Sequence, residues 1–408
     1  MKRLWKPAVI TLLLVIGATL WVFGDKIQRL RWATSLFSGA EQYEQFSSIP
    51  ELLPTSKLEP AAEPFIWPEG KMISLPDTFD HSGRAIRVAE FLAETDTSAL
   101  LLIKDGEIRS ENYYLTGGKD VQWISFSVAK SFISALVGIA VSEGHIKSIE
   151  EPASAYLPEL AGSGYEGVRI KDILQMSSGA SWNEDYSDFD SDINRMGRVF
   201  ALGGSLDEFI TTLSRDFDPG TYNRYNSTDT QVLGRLLVAT TGRSISEYMT
   251  EKLWHPIGAE APGYWILDNY GMEMAFAGYN ATARDYAKLG FLYLNDGNWF
   301  GQQVIDAEWV RASLTADAPH LEPGDNPASN NVFGYGFQWW LFDGDDEDYS
   351  AIGVYNQFIY VNPAERVVIV KLSANSDYGM TQDESSYREE ETLSLFRELL
   401  GTVERDDG

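Results

Sequence analysis

The sequence predicts an α+β protein: an antiparallel sheet flanked by helices, with a mostly helical subdomain inserted and an apolar N-terminal helix ahead of it. Three observations lead there. Strand-like runs lie towards both ends of the chain, at 98–114 and 335–372. Helical periodicity dominates between them, from about 146 to 330. Strands at both ends with helices between imply one sheet assembled from the two chain ends.

The elements follow in order. Lys2, Arg3 and Lys6 precede an uncharged run from Ala8 to Gly24, AVITLLLVIGATLWVFG. Its length is at the short end of a bilayer span and above a signal-peptide core, and Gly24-Asp25-Lys26 is a poor cleavage site. Residues 1–25 therefore read as a membrane anchor contacting the lipid bilayer, with the bulk of the chain outside the cytoplasm on the periplasmic side. A cleaved secretory signal is the alternative, and Lys26, Arg29 and Arg31 at the far end lessen the charge bias. Residues 26–84 read as a linker or strap, punctuated by Pro50, Pro54, Pro60, Pro64, Pro68 and Pro76.

The main domain is expected over 85–400. Ser98–Tyr114 gives two strands about an Asp105-Gly106 turn. An apolar helix runs from about Ser127 to Glu143 and ends at Gly144. Helical patterns follow over Val168–Met176, Asp229–Thr241 (ending at Gly242) and Ala283–Leu294 (ending near Gly297). Strands return at 335–341, 358–361 and 366–372, with a turn at Asn362-Pro363. A last amphipathic helix spans about Ser386 to Leu400, and 401–408 is expected as an acidic tail.

Composition excludes several functions. A net charge of -28 with no basic stretch argues against nucleic acid as a partner. The chain has no cysteine, which removes disulfides, thiolate catalysis and cysteine-ligated metals. Oligomeric state is not legible. The acidic runs at 345–348 and 389–391 read as solvated faces, and Trp339-Trp340 reads as core packing.

One stretch carries chemistry. Ser127-Val128-Ala129-Lys130 is the only Ser-x-x-Lys in the chain, a spacing chance would supply on the order of once in a chain this long. Its context is what counts. A serine hydroxyl needs a base to become a nucleophile, and lysine serves if burial lowers its pKa towards neutrality. Three residues apart on a helix, Ser127 and Lys130 share one face. The apolar residues that follow, Phe132, Ile133, Leu136 and Val137, bury that helix. None of the four histidines, His81, His145, His255 and His320, sits in a Gly-x-Ser-x-Gly setting.

Several separated segments, over roughly 85–400, resemble the serine hydrolases of the class C β-lactamase and penicillin-binding-protein superfamily, above all its esterase and 6-aminohexanoate-dimer hydrolase-like members. Trp123–Lys130 resembles the nucleophile helix. Arg169–Gly179 resembles the helix and turn after it, and Pro219–Ser227 with Thr230–Gly234 the second catalytic motif. Asn280–Gly290 and Gly334–Trp340 are further family-like segments, and Ala351-Ile352-Gly353-Val354 falls at the third motif.

The resemblance implies a β-lactamase/transpeptidase-like fold and an acyl-enzyme on Ser127, with Lys130 and Tyr225 as acid and base. It implies an oxyanion hole from the Ser127 and Val354 N–H groups and no cofactor or metal. Trp182, Asn226, Ser227, Ile352, Gly353 and Tyr355 become candidate substrate contacts. Two departures shape the substrate. Ser227 stands where the Tyr-x-Asn motif has its amide, and Ala351-Ile352-Gly353 keeps only the glycine of Lys-Thr-Gly. Without that lysine and threonine nothing there holds a substrate carboxylate, so a small-molecule ester or linear amide is expected as substrate. A β-lactamase, a peptidoglycan DD-peptidase and a catalytically silent envelope-binding module are the alternatives. The loop carrying Trp182, Glu184, Asp185, Tyr186, Asp188 and Asp190 reads as a lid or as an ordinary acidic loop.

Overall fold

The computed structural model describes residues 41–344, 347–381 and 383–407, together with Gly17, Phe23 and Gly24. The apolar segment expected as a membrane anchor thus lies outside the described residues, apart from those three. Among the described residues no helix is long and apolar enough to cross a membrane.

The N-terminal hairpin forms as expected. Strands β1 (Thr97–Lys104) and β2 (Glu107–Tyr113) meet at Asp105 and Gly106, whose φ angles of +52° and +83° suit the tight turn between twisted strands. The C-terminal third supplies β3 (Gly334–Tyr335), β4 (Trp340–Leu341), β5 (Tyr349–Gly353), β6 (Gln357–Asn362) and β7 (Val367–Ser373). All seven pair antiparallel in the order β3-β4-β5-β6-β7-β1-β2, so β7 and β1 join the two chain ends.

Both faces of this sheet are covered, which is why its strands read as nearly continuous apolar runs. Alternate residues point to opposite sides. Leu101, Ile103, Ile359, Val361, Val368 and Val370 join a core containing helices α1 (Ala129–Ser142), α2 (Ser227–Thr241) and α3 (Ala283–Leu294). Leu100, Leu102, Phe358, Tyr360 and Ile369 enter a second core closed by Phe396, Leu399 and Leu400 of α4 (Glu389–Asp407).

Four expectations need correction. First, α3 packs on β1, β6 and β7, so the helical insertion does not extend to 330. Gly290 permits that contact, since a Cβ there would lie 2.7 Å from Val368 Cγ1 and 2.8 Å from Ile359 Cγ2. Second, 335–341 is not one strand but the hairpin β3–β4. Gln338 turns the chain at a φ of +63°, and its buried amide donates to Leu174 O and accepts from Thr230 Oγ1, which outweighs the strand propensity of the flanking aromatics. Third, part of the proline-rich strap is built in. Thr55–Leu58 pairs with Gly263–Ile266 at the edge of a four-stranded sheet that also contains Tyr279–Ala281 and Trp123–Ile124.

Fourth, the acidic tail continues α4 to Asp407. Its anchor is Asp406, whose carboxylate lies 3.0 Å from both Arg109 and Lys71. The Arg109 side chain is only 7% exposed, so losing the Asp406 charge leaves a buried guanidinium short of a partner. Asp406→Asn is expected to lower stability by roughly 1–3 kcal/mol, read as a lower urea midpoint at unchanged m-value. An unaltered midpoint would return these residues to the status of a tail.

Candidate active site

Ser127 sits in a 3-10 turn, Phe126–Val128, that feeds into α1. Phe126 adopts a φ of +44°, which costs a non-glycine residue roughly 1–2 kcal/mol. Packing holds it there: its ring lies 5.0 Å from Phe46 and 5.1 Å from Tyr355. The Ser125 N–H donates to Tyr279 O, tying the turn to the four-stranded sheet. The nucleophile candidate is thereby fixed from both sides.

The first turn of α1 then brings Lys130 onto Ser127. Lys130 is buried, and its Nζ lies 2.9 Å from Ser127 Oγ, 2.9 Å from Phe276 O and 3.2 Å from Ser227 Oγ. Burial lowers its pKa to about 7, against the opposing pull of the Glu184 and Asp229 carboxylates. The Phe276 carbonyl is positioned by α2: Gln231 donates to Glu273 O and accepts from the Ala275 N–H, fixing the loop that carries Phe276.

Tyr225 comes from the segment leading into α2. Its ring stacks on Trp340 at 5.2 Å, and Lys130 Nζ lies 4.9 Å from the ring centroid. Enclosure by its neighbours, and then the Glu184 charge, raise the phenol well above its ordinary pKa, while the adjacent Ser127 hydroxyl pulls the other way. Tyr225 therefore keeps its proton at neutral pH. Of the pair, Lys130 is the group able to accept a proton there, and Tyr225 the group able to donate one.

The third segment, β5, lies beside the nucleophile turn, and Gly353 is the reason it can. A Cβ on Gly353 would sit 2.6 Å from Ser125 O and 3.1 Å from Ser127 N. The missing side chain thus makes room for the backbone of the Ser127 turn. Beyond Gly353, Tyr355 and Asn356 both take φ of +66°. Gln357 braces this turn: its side-chain NH2 donates to Val354 O and Tyr355 O, each at 3.1 Å, and its Oε1 accepts from Trp123 Nε1 at 3.0 Å.

Not every candidate substrate contact reaches the pair. Ser227 and Gly353 do. Ile352 faces the second core on the opposite side of the sheet, because neighbours in a strand alternate. Tyr355 is 4% exposed and packs on Phe46, Phe126 and Tyr378. Asn226 caps α2, its Oδ1 accepting from the Thr228 N–H while its NH2 donates to Tyr165 OH, so both ends of its amide are engaged away from the pair. Trp182 is buried, and its indole N–H donates to Glu184.

Two carboxylates carry more of the site than the sequence suggests. Glu184 Oε1 accepts from Ser227 Oγ at 2.7 Å and from Tyr186 OH at 2.8 Å, and Oε2 accepts from the Ser227 N–H at 3.1 Å. The loop holding it is therefore docked on the start of α2. Asp229 is fully buried on α2, accepts from Ser178 Oγ and Tyr165 OH, and is pushed up to about 7 by burial. One signal pointed to Glu184: Trp182, Glu184 and Tyr186 are spaced by two, so in extended chain they share a side.

A β-lactamase family model matches residues 87–393, a span that includes the seven-stranded sheet, α1, α2, α3 and the Ser127–Lys130 pair. The chain belongs to the β-lactamase family. It is 31% identical over 345 residues to the 6-aminohexanoate-dimer hydrolase of Paenarthrobacter ureafaciens, covering 81% of this chain and 85% of that one. A Bacillus anthracis structure assigned as a 6-aminohexanoate-dimer hydrolase shares the fold at a TM-score of 0.79, with 21% identity over 92% of this chain and 96% of the other. A family VIII carboxylesterase shares it at 0.56, with 16% identity over 78% and 94%. These relatives are hydrolases by name, and the two solved structures share this chain's fold.

Proposed function

We propose that this family member hydrolyses a small carboxylic ester or linear amide through an acyl-enzyme on Ser127. The observation that carries the reading is the buried Lys130 amine 2.9 Å from Ser127 Oγ, with its pKa brought down to about 7. Lys130 takes the Ser127 proton as Oγ adds to the substrate carbonyl carbon. The tetrahedral centre collapses as the Lys130 ammonium passes that proton by way of the Tyr225 hydroxyl to the leaving group, which leaves Lys130 neutral and Tyr225 protonated. Water then adds to the acyl carbon and gives its proton to Lys130, which hands it to Ser127 Oγ as the bond from that oxygen to the acyl carbon breaks and the acid leaves. The Ser127 and Val354 N–H groups are the proposed oxyanion donors.

The substrate class rests on two supports. Ala351 on β5 offers no cation for a substrate carboxylate, and the 31%-identical relative is named for a 6-aminohexanoate dimer. A fluorophosphonate probe followed by peptide mapping tests the nucleophile, and modification is expected at Ser127. A panel of short-chain nitrophenyl esters, linear amides and nitrocefin tests the class. Nitrocefin turnover matching ester turnover would favour the β-lactamase reading, and no labelling at all would favour a silent binding module.

A pH profile follows from the same geometry. Lys130 must be neutral to act, so kcat/KM is expected to rise with pH through about 7 and to level off above it. A rate falling over that interval would exclude Lys130 as the base.

A further inference from the structure

We propose that Glu184 is the positioning residue of the Ser127–Lys130 pair: by accepting the Ser227 hydroxyl hydrogen, it makes Ser227 an acceptor towards Lys130 and leaves the amine lone pair facing Ser127. This rests on the acyl-enzyme reading above and goes beyond it, because Glu184 touches no reacting atom.

The inference comes from counting hydrogens. A neutral lysine amine has two N–H bonds and one lone pair, and three oxygens lie within reach of Lys130 Nζ. Phe276 O is a carbonyl and can only accept. Ser227 Oγ could donate or accept, but its single hydrogen is committed to Glu184 Oε1 at 2.7 Å, so towards Lys130 it can only accept. Both N–H bonds are thereby assigned. The lone pair has one partner left, Ser127 Oγ, at 2.9 Å.

Without Glu184, the Ser227 hydroxyl could turn and donate to the amine. The lone pair would then be occupied, and the Ser127 proton would have no acceptor. When Lys130 takes that proton it becomes an ammonium with three N–H bonds. The third points at the Ser127 oxygen, which by then is bonded to the acyl carbon. No further group has to move.

The partners of Glu184 argue for a carboxylate in this position. The Ser227 hydroxyl, the Ser227 N–H, the Tyr186 hydroxyl and the Trp182 indole N–H all direct a hydrogen at it. Four donors suit an acceptor-only group, and a glutamine there would set its NH2 against at least one of them. Ser227 and Glu184 together thus do what one amide could do at the third position of a Tyr-x-Asn motif. The charged and titratable groups facing Lys130 are Glu184 and Asp229, with the Tyr225 ring alongside. Those facing Glu184 besides Lys130 are Tyr186, Tyr225, Tyr335 and Asp229.

The test uses the full chain, the fluorophosphonate labelling rate at Ser127 as a function of pH, and melting temperature in parallel. Glu184→Gln is expected to slow labelling about tenfold or more. It should also move the acidic limb of the profile below that of the wild type, because a charge that favours the ammonium has gone. Ser227→Ala is expected to slow labelling comparably, and the double variant to be no slower than either single one, as for groups acting as a unit. Three outcomes would overturn the proposal: a lower melting temperature with labelling rate and limb unchanged; single effects that multiply in the double variant; or normal labelling with an acyl-enzyme that accumulates on an ester. Failure of the underlying reading looks different, since the wild type itself would then not be labelled at Ser127.

Discussion

Ser127→Ala is expected to abolish ester turnover and probe labelling, and Lys130→Met to lower kcat/KM by about 10^2- to 10^4-fold while making the protein more stable at neutral pH. The two halves of the lysine prediction share one cause. In the folded state Lys130 has a pKa of about 7, whereas in the unfolded chain it is an ordinary lysine near 10.5. Between these values the unfolded chain binds a proton that the folded site does not. Stability therefore rises with pH across that window, by about 1.4 kcal/mol per unit per group, and below about 7 the full cost of burying the amine is present. Methionine has similar length and nothing to desolvate. Its gain over the wild type should be largest at and below neutral pH and should shrink towards pH 10. Lys371, also buried and depressed by burial, contributes with the same sign in both proteins and cancels in the comparison. Urea denaturation of both proteins at several pH values gives the difference directly. A Lys130→Met variant less stable than the wild type throughout would show that its three oxygen contacts outweigh desolvation.

Gly353→Ala is the second large effect, and it should be mainly kinetic. The added carbon meets two backbone atoms of the nucleophile turn, Ser125 O at 2.6 Å and Ser127 N at 3.1 Å, and backbone cannot rotate away as a side chain can. The strand or the turn must shift, and either shift moves Ser127 relative to the proposed oxyanion donor at Val354. Overpacking of this kind costs roughly 1–3 kcal/mol of stability. Displacing one oxyanion donor costs about 10^2- to 10^3-fold in kcat. Ile352→Val is the control, one residue away but facing the opposite core. It should lose roughly 0.5–1.5 kcal/mol of stability with kcat almost unchanged. Equal kinetic losses in the two variants would mean that general disturbance of β5, rather than the Gly353 contact, is being measured.

This pair also shows how much was legible beforehand. Ile352 and Gly353 cannot both face one substrate, because strand side chains alternate. That rule is available from sequence and would have excluded Ile352 once Gly353 was placed. The position of Trp182 could not be settled the same way. Spacing puts Trp182, Glu184 and Tyr186 on one side of an extended segment, but not which body that side meets. Glu184 lay in a loop that read equally as a lid or as an ordinary acidic loop in a chain of net charge -28. It became part of the site only when the loop was seen folded against Ser227.

The sequence by itself determined the local geometry: the hairpin at Asp105-Gly106, the ends of α2 and α3, and a serine and lysine on one helical face. Those features depend on turn chemistry and helical period, which act over a few residues. Only the tertiary structure decided that Phe276, Ser227 and Glu184 converge on Lys130, that Gly353 makes room for the nucleophile turn, and that 335–341 bends into a hairpin around Gln338. Each of those depends on contacts between segments tens to hundreds of residues apart, where burial and hydrogen-bond satisfaction override local propensity. The proposed base and its orientation belong to that second class: a lysine three residues after a serine can serve as a base only when the rest of the chain removes its water and directs its hydrogens elsewhere.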